Sequence, residues 1–163
     1  MTNIEEIEEL EEDTQKDKFL LFSIDTNYYG IDIKTVIEII GIQPITEVPE
    51  LPDYIRGVIN LRGTIIPVMD VRLRFEKEYR EYCDRTCIIV IETNNVMVGL
   101  IVDSVAEVAV IPNENIMEPP CITSEGYRYI KGIGKCGDSV RLIIDCDRLL
   151  NEEESRSISD FNV

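Results

Sequence analysis

Two cysteines four positions apart, Cys83 and Cys87, are the residues of this chain best placed to begin a metal or thiol–disulfide site. Such a centre needs a second ligand pair at matched spacing, commonly supplied by histidine. The 163 residues contain no histidine, and Cys121, Cys136 and Cys146 follow at irregular intervals. Without histidine the usual general base near neutral pH is also missing. Asp145-Cys-Asp147 pairs two carboxylates but lacks the loop of a calcium site. Gly41, Gly57 and Gly63 are scattered rather than gathered into a phosphate-cradling loop. Two carboxylates could converge as in a glycosidase, yet nothing selects a pair. These residues predict a chain that binds rather than turns over, with no metal and no cofactor.

One cation stands out. Arg62 and Gly63 separate two apolar runs of strand length, Val58–Leu61 and Thr64–Asp70, which places the arginine at a two-residue hairpin tip. A guanidinium held there keeps its charge and offers a planar fork of donors to a partner's carboxylate. A solvated turn residue fits the spacing equally well. Val36-Ile-Glu38-Ile-Ile40 is bulkier than its later counterpart Val105-Ala-Glu107-Val-Ala109. It reads either as a buried strand with one outward glutamate or as the wall of an apolar groove that receives a helix.

The elements that position these residues occur twice. FLLFSIDTN (19–27) resembles TCIIVIETN (86–94), Gly30–Glu38 resembles Gly99–Glu107, and YIRGVINLRGTIIPVMDV (54–71) resembles YIKGIGKCGDSVRLIIDC (129–146). The matches run in one order, as an internal duplication would produce, with a charged junction at 76–85. Each copy predicts about five short strands. Phe19–Asp25 pairs with Tyr28–Ile33, and Thr86–Glu92 with Val96–Val102, while Gly30 and Gly99 mark bulges or bends. Pro67 assigns its strand to an edge or a bulge. Helical turns are expected at Pro52-Asp-Tyr54 and at Cys146–Leu150. One copy alone buries a marginal core, and two packed together gain a third apolar interface.

Charge narrows the partners. Of a net −16, residues 1–18 contribute eight acids against two bases, and 151–163 four acids against one base, which leaves 19–150 at −7. An acidic body argues against nucleic acid and against an anionic membrane surface. Ile4, Ile7 and Leu10 are spaced as on a helix, but so short an acidic segment is expected to be disordered. The cysteines read as reduced thiols, several of them small core hydrophobes, and no secretory signal or membrane-spanning run is legible.

Tyr29-Gly-Ile-Asp-Ile33, Val36-x-Glu38-Ile, Gly57-Val-Ile-Asn-Leu-Arg-Gly63, Pro67-Val-Met-Asp-Val-Arg72 and Gly99-Leu-Ile-Val-Asp103 together resemble the CheW family over about 17–150. These are adaptors that link chemoreceptors to the histidine kinase CheA. The resemblance implies a mainly β fold of two five-stranded Src-homology-like barrels on a shared core, with a short C-terminal helix. Its lobes would be 17–75 and 86–150, exchange of segments allowed, between an acidic disordered tail at 1–16 and a polar tail at 151–163. It implies a receptor's helical tip docking around Ile33, Val36, Glu38 and Arg62, and a kinase regulatory domain at Gly57, Met117 and Ile122. It further implies a cytoplasmic monomer recruited to receptor arrays. A coupling adaptor of another two-component pathway, such as one for surface motility, and a thiol or metal sensor at Cys83 and Cys87 are the alternatives.

Overall fold

The computed structural model describes residues 15–119 and 128–150. Residues 1–14 of the tail expected at 1–16, the tail expected at 151–163, and Ile122 lie outside the described residues. Eleven strands form two sheets among those residues. The first contains β1 (Lys18–Ile24), β2 (Asn27–Asp32), β8 (Ser104–Val110), β9 (Ile116–Met117), β10 (Ile130–Cys136) and β11 (Ser139–Ile144), in the order β8-β1-β2-β11-β10-β9. The second contains β3 (Val36–Gly41), β4 (Ile55–Leu61), β5 (Thr64–Asp70), β6 (Cys87–Thr93) and β7 (Val96–Val102), in the order β3-β6-β7-β5-β4.

Apart from β9, which has no counterpart strand, the two orders match strand for strand. In each, the hairpin that opens one sequence copy sits among the later strands of the other copy. β1–β2 joins β8–β11, and β6–β7 joins β3–β5. The joints are the only parallel pairings among the described strands: β2 against β11, and β7 against β5. The charged stretch 76–85 therefore joins β5 to β6 within the second sheet. The chain passes between sheets at a 3-10 turn, Ile33–Thr35, and again at Asp103.

Burial explains why the hairpin strands read as unbroken apolar runs. Along β1, Phe19 and Leu21 point into the first sheet's own core with Ile111 and Ile143, while Leu20, Phe22 and Ile24 point into the core between the sheets. Along β6, Ile88 and Val90 face the second sheet's core with Ile59, Ile66 and Val68, and Ile89 and Ile91 face the shared one. Both faces of these strands are dry, so period-2 polarity disappears. The shared core includes a run of rings, Phe22–Tyr29–Phe75–Tyr129, with centroids 5.3–5.8 Å apart. Offset ring contacts of this kind add to the burial term. Two one-turn helices, α1 (Val71–Arg74) and α2 (Cys146–Leu149), are capped by Asp70 and Asp145, whose carboxylates accept main-chain N–H bonds. Asp-x-Asp at 145–147 is thus a cap in structural use.

In each sheet the chain that leaves one edge strand pairs next with a strand on the far side. Just past β3, Thr46 and Val58 exchange two main-chain hydrogen bonds of 2.9 Å, which tie the β3 side to β4. In the other sheet β9, a few residues past β8, pairs with β10. Gly57 is what permits the first of these pairings. Its φ is +144°, and a Cβ there would lie 2.1 Å from the Thr46 carbonyl oxygen. Its counterpart Gly132 also lies beside a register shift, and a Cβ there would meet Ile116 at 2.5 Å.

Three local expectations need correction. Register shifts fall next to Gly57 and Gly132, and in the β1–β8 and β3–β6 pairings, rather than at Gly30 and Gly99, which pair in register in their hairpins. Gly99 instead allows close packing: a Cβ would come within 2.7 Å of Ile88 and 3.0 Å of Val68. Pro67 lies in an inner strand opposite Val58, with no register shift at that pair. The missing N–H is tolerated because Val58 bonds Thr46 instead, and pairing with β7 starts one residue later, at Val68. Pro52–Tyr54 is a turn, not a helix.

Gly57→Ala is expected to lose at least about 2 kcal/mol, since strain and overpacking each cost about 1–3 kcal/mol. Gly41→Ala, with open space around the new methyl, should stay within about 0.5 kcal/mol of the parent. Urea midpoints of the two variants test this ordering.

Candidate functional site

Arg62 sits at the tip of the β4–β5 hairpin with φ +50°, followed by Gly63 at +90°. The Asn60 side-chain oxygen accepts the Gly63 N–H at 2.8 Å and fixes the turn. A left-handed conformation suits glycine and burdens any residue with a Cβ. The second copy's hairpin tip has Gly137 in that conformation, at φ +61°. Arginine in the first copy carries a local cost that its counterpart avoids, and such positions concentrate where a side chain has a task.

That side chain is 74% exposed and forms an ion pair with Glu38 on β3, whose side chain is 25% exposed. β3 is the edge strand, and its register against β6 shifts between Val36 and Glu38. Val36, Glu38 and Ile40 are half-buried, whereas Ile37 and Ile39 are 45% and 43% exposed. The outward residues are therefore two isoleucines, not the glutamate of the buried-strand reading. Ile33 and Val36 pack against the shared core, as does Val105 of β8. The turn Ile33–Thr35 contacts both β1 and β6, so this end of the segment lies over the seam between the sheets. One stretch thus runs from an apolar seam at Ile33 and Val36 to an ion pair at Glu38 and Arg62, with Ile37 and Ile39 open to solvent.

The other predicted residues lie elsewhere. Gly57 is buried against Thr46, so its identity already has a structural cause. Met117, 54% exposed on β9, belongs to the other sheet.

Sequence reasoning missed an ionic cluster. Arg72 on α1, buried, donates to Asp25 and, at 2.9 Å, to Asp103; Lys77 lies 3.4 Å from Asp25 and Arg80 3.6 Å from Asp103. Asp25 is in the β1–β2 turn, and Asp103 is where the chain returns to the first sheet. The cluster thereby clamps a hairpin, a helix and a crossing point. The hydrogen bond from Arg72 is the main cause that holds Asp25 below its ordinary carboxylate value of 3.8. Burial works against the Arg72 charge, but the bonds and charges of Asp25 and Asp103 outweigh it and raise its value. Beside the cluster, Asp70 accepts from the Tyr82 hydroxyl at 2.8 Å. Burial, then that bond to a carboxylate, pushes the phenol up. Only the pattern Asp-Val-Arg72 hinted at this, as a cation in an apolar stretch.

Cys83 and Cys87 keep separate partners: the Cys83 sulfur receives the Thr86 hydroxyl at 3.8 Å, and the Cys87 thiol faces the Arg85 carbonyl at 3.3 Å. Among the described residues no group of three or more His, Cys, Asp or Glu is arranged to hold a metal ion. The backbone at Arg85, then the Thr86 side chain, lowers the Cys83 thiol from its ordinary value. Burial pushes Cys146 up to about 12.

Comparison with known proteins bears on this geometry. A family model described as CheW-like domain matches residues 18–154. The chain belongs to the CheW-like domain family. The chemotaxis protein CheW of Klebsiella aerogenes is 34% identical over 155 residues, covering 94% of this chain and 93% of that protein. The one from Bacillus subtilis is 34% identical over 142 residues, covering 86% and 91%. A crystal structure of a scaffolding CheW protein from Thermoanaerobacter tengcongensis superposes with a TM-score of 0.78 at 38% identity, covering 83% of this chain and 92% of that one. Protein FrzA of Myxococcus xanthus is 24% identical over 144 residues, covering 87% and 90%. Nearly the whole CheW-like fold, hairpin tip and seam included, falls inside the matched residues.

Two measurements follow from the cluster and the thiols. Because the folded chain gives up the Asp25 proton more readily than the unfolded chain, Asp25 stabilises the fold above its ordinary value. That contribution is lost as the pH falls through the lower folded value. Asp25→Asn should flatten the acid limb of a urea-midpoint profile taken from about pH 6 down to about pH 3. With iodoacetamide under native conditions, peptide mapping should find Cys83 alkylated first among the described cysteines and Cys146 last.

Proposed function

We infer that this chain is a non-catalytic coupling adaptor that joins chemoreceptors to a CheA-type histidine kinase. Support comes from membership of the CheW-like family over residues 18–154 and from relatives named as chemotaxis and scaffolding proteins. The observation that carries the site is Arg62, held left-handed and exposed while it grips Glu38 beside an apolar seam.

Such a surface suits the tip of a receptor's helical hairpin. Ile33 and Val36 offer the greasy floor, and the Glu38–Arg62 pair offers charges whose partners can be exchanged on docking. The kinase's regulatory domain would use other faces, around Gly57 on one sheet and Met117 and Ile122 on the other. Gly57 would act there through the Thr46 contact that it permits. The isolated chain would be a monomer, cytoplasmic, and drawn to the membrane through the receptors. No helix among the described residues is long and apolar enough to cross a bilayer.

Coupling asks for more than adhesion. A receptor shifts kinase activity through this adaptor only if the contacts differ between its two signalling states. Modest individual contacts, multiplied across an array, keep the assembly reversible. A second reading, an adaptor of another two-component pathway, is favoured by the match to Protein FrzA; deletion of the gene and a swimming assay separate the two.

An exposed ion pair stabilises by about 0–1 kcal/mol. Glu38→Ala should therefore leave the urea midpoint nearly unchanged, and Arg62→Gly, relieved of its backbone cost, should hold or gain up to about 1 kcal/mol. Both are expected to reduce receptor pull-down and receptor-dependent kinase phosphorylation by tenfold or more, on the order of the 1.4 kcal/mol that one hot-spot contact supplies. Unchanged pull-down and kinase output in both variants would remove the site.

A further inference from the structure

Away from the hairpin tip, a recess of about 290 Å³ opens beside α1. Its apolar wall is the ring run Tyr29, Phe75 and Tyr129, and its polar lining is Arg74, Lys77 and Arg128 against the single acid Glu76. On a body of net charge −7, a cationic recess with aromatic walls calls for an acidic occupant. The Arg74 guanidinium lies 4.3 Å above the Tyr54 ring and 4.9 Å above the Tyr129 ring. Desolvation, and the adjacent Arg128 charge, weigh against the Arg74 cation.

The chain carries such an acidic segment within reach. Arg74 Nε donates to the Leu149 carbonyl at 2.9 Å, and three consecutive acids, Glu152, Glu153 and Glu154, begin three residues beyond Leu149. At about 3.5 Å per residue they reach no farther than about 18 Å from it. The other acidic segment, residues 5–13, leaves from the opposite end of β1, since Lys18 lies across from the Asp25 turn that Lys77 contacts. We propose that the recess of Arg74, Arg128 and Tyr129 is an interaction surface for an acidic segment, and that its occupant is Glu152–Glu154 of this same chain. A tether this short gives an effective concentration on the order of millimolar, enough for charge-assisted bonds of ordinary strength to hold the segment down. This surface is separate from the coupling function and does not depend on it.

The test is hydrogen exchange on the full-length protein at about 0.05 M and about 0.5 M salt. Replacing the acids together (Glu152→Gln, Glu153→Gln, Glu154→Gln) should speed exchange at Arg74–Lys77 and Arg128–Ile130 at least threefold at low salt, with the gap closing at high salt. Arg128→Glu should do the same, and combining it with Glu152→Lys, Glu153→Lys and Glu154→Lys should restore protection. Unchanged exchange in the glutamine variant overturns the proposal. So does a loss of protection that appears only when Glu5, Glu6, Glu8 and Glu9 are made glutamine.

Discussion

A five- or six-stranded sheet of this size has too little apolar surface to bury on one face alone, and the chain meets that constraint by lending hairpins. β1–β2 and β6–β7 each pack one face inside a sheet and the other in the core between sheets. At about 25 cal/mol per Å² of apolar surface, a second dry face on β1, β6 and β7 adds substantially to burial in a fold with so little helix. The parallel joints β2–β11 and β7–β5 follow from it, and so do the glycines at 30 and 99, which let those joints close. With the core settled in this way, edge strand β3 and the hairpin tip stay outside it, open to solvent at Ile37, Ile39 and Arg62.

Two arginines on this frame illustrate how burial divides labour. Arg72 is enclosed by carboxylates from two distant turns, and its removal would strand those charges; it belongs to the architecture. Arg62 is open to water, its pair with Glu38 adds little stability, and its backbone conformation costs some. An interaction that contributes little to folding is the kind that a partner can rearrange. The proposed receptor contact would use that surface, and the geometry explains why the fold would tolerate it.

Much of this was legible in the residues. The duplication, the strand runs, the hairpin tip at Arg62 and the two-lobed β architecture follow from apolar runs, turn chemistry and repeated order. The repeat does not say which sheet a hairpin joins, because both faces of β1 and β6 are apolar and satisfy either partner. The Arg72 cluster was hidden because its partners lie 47 and 31 residues away in sequence. The register shift in β3 was hidden too, and with it the outward turn of Ile37 and Ile39. Apolar composition gave those positions to the core, and their exposure shows only where the core ends in the fold.

The chain crosses between its sheets twice, and the crossings sit at opposite ends of one strand. Asp32, just before the first, pairs with Phe19, and Asp103, the second, bonds the carbonyl of Ser23 at 3.1 Å. Four residues of extended chain put these anchors about 13 Å apart. These two points pin the crossings along β1, with the apolar seam at Ile33 at one end and the ionic clamp at Asp103 at the other.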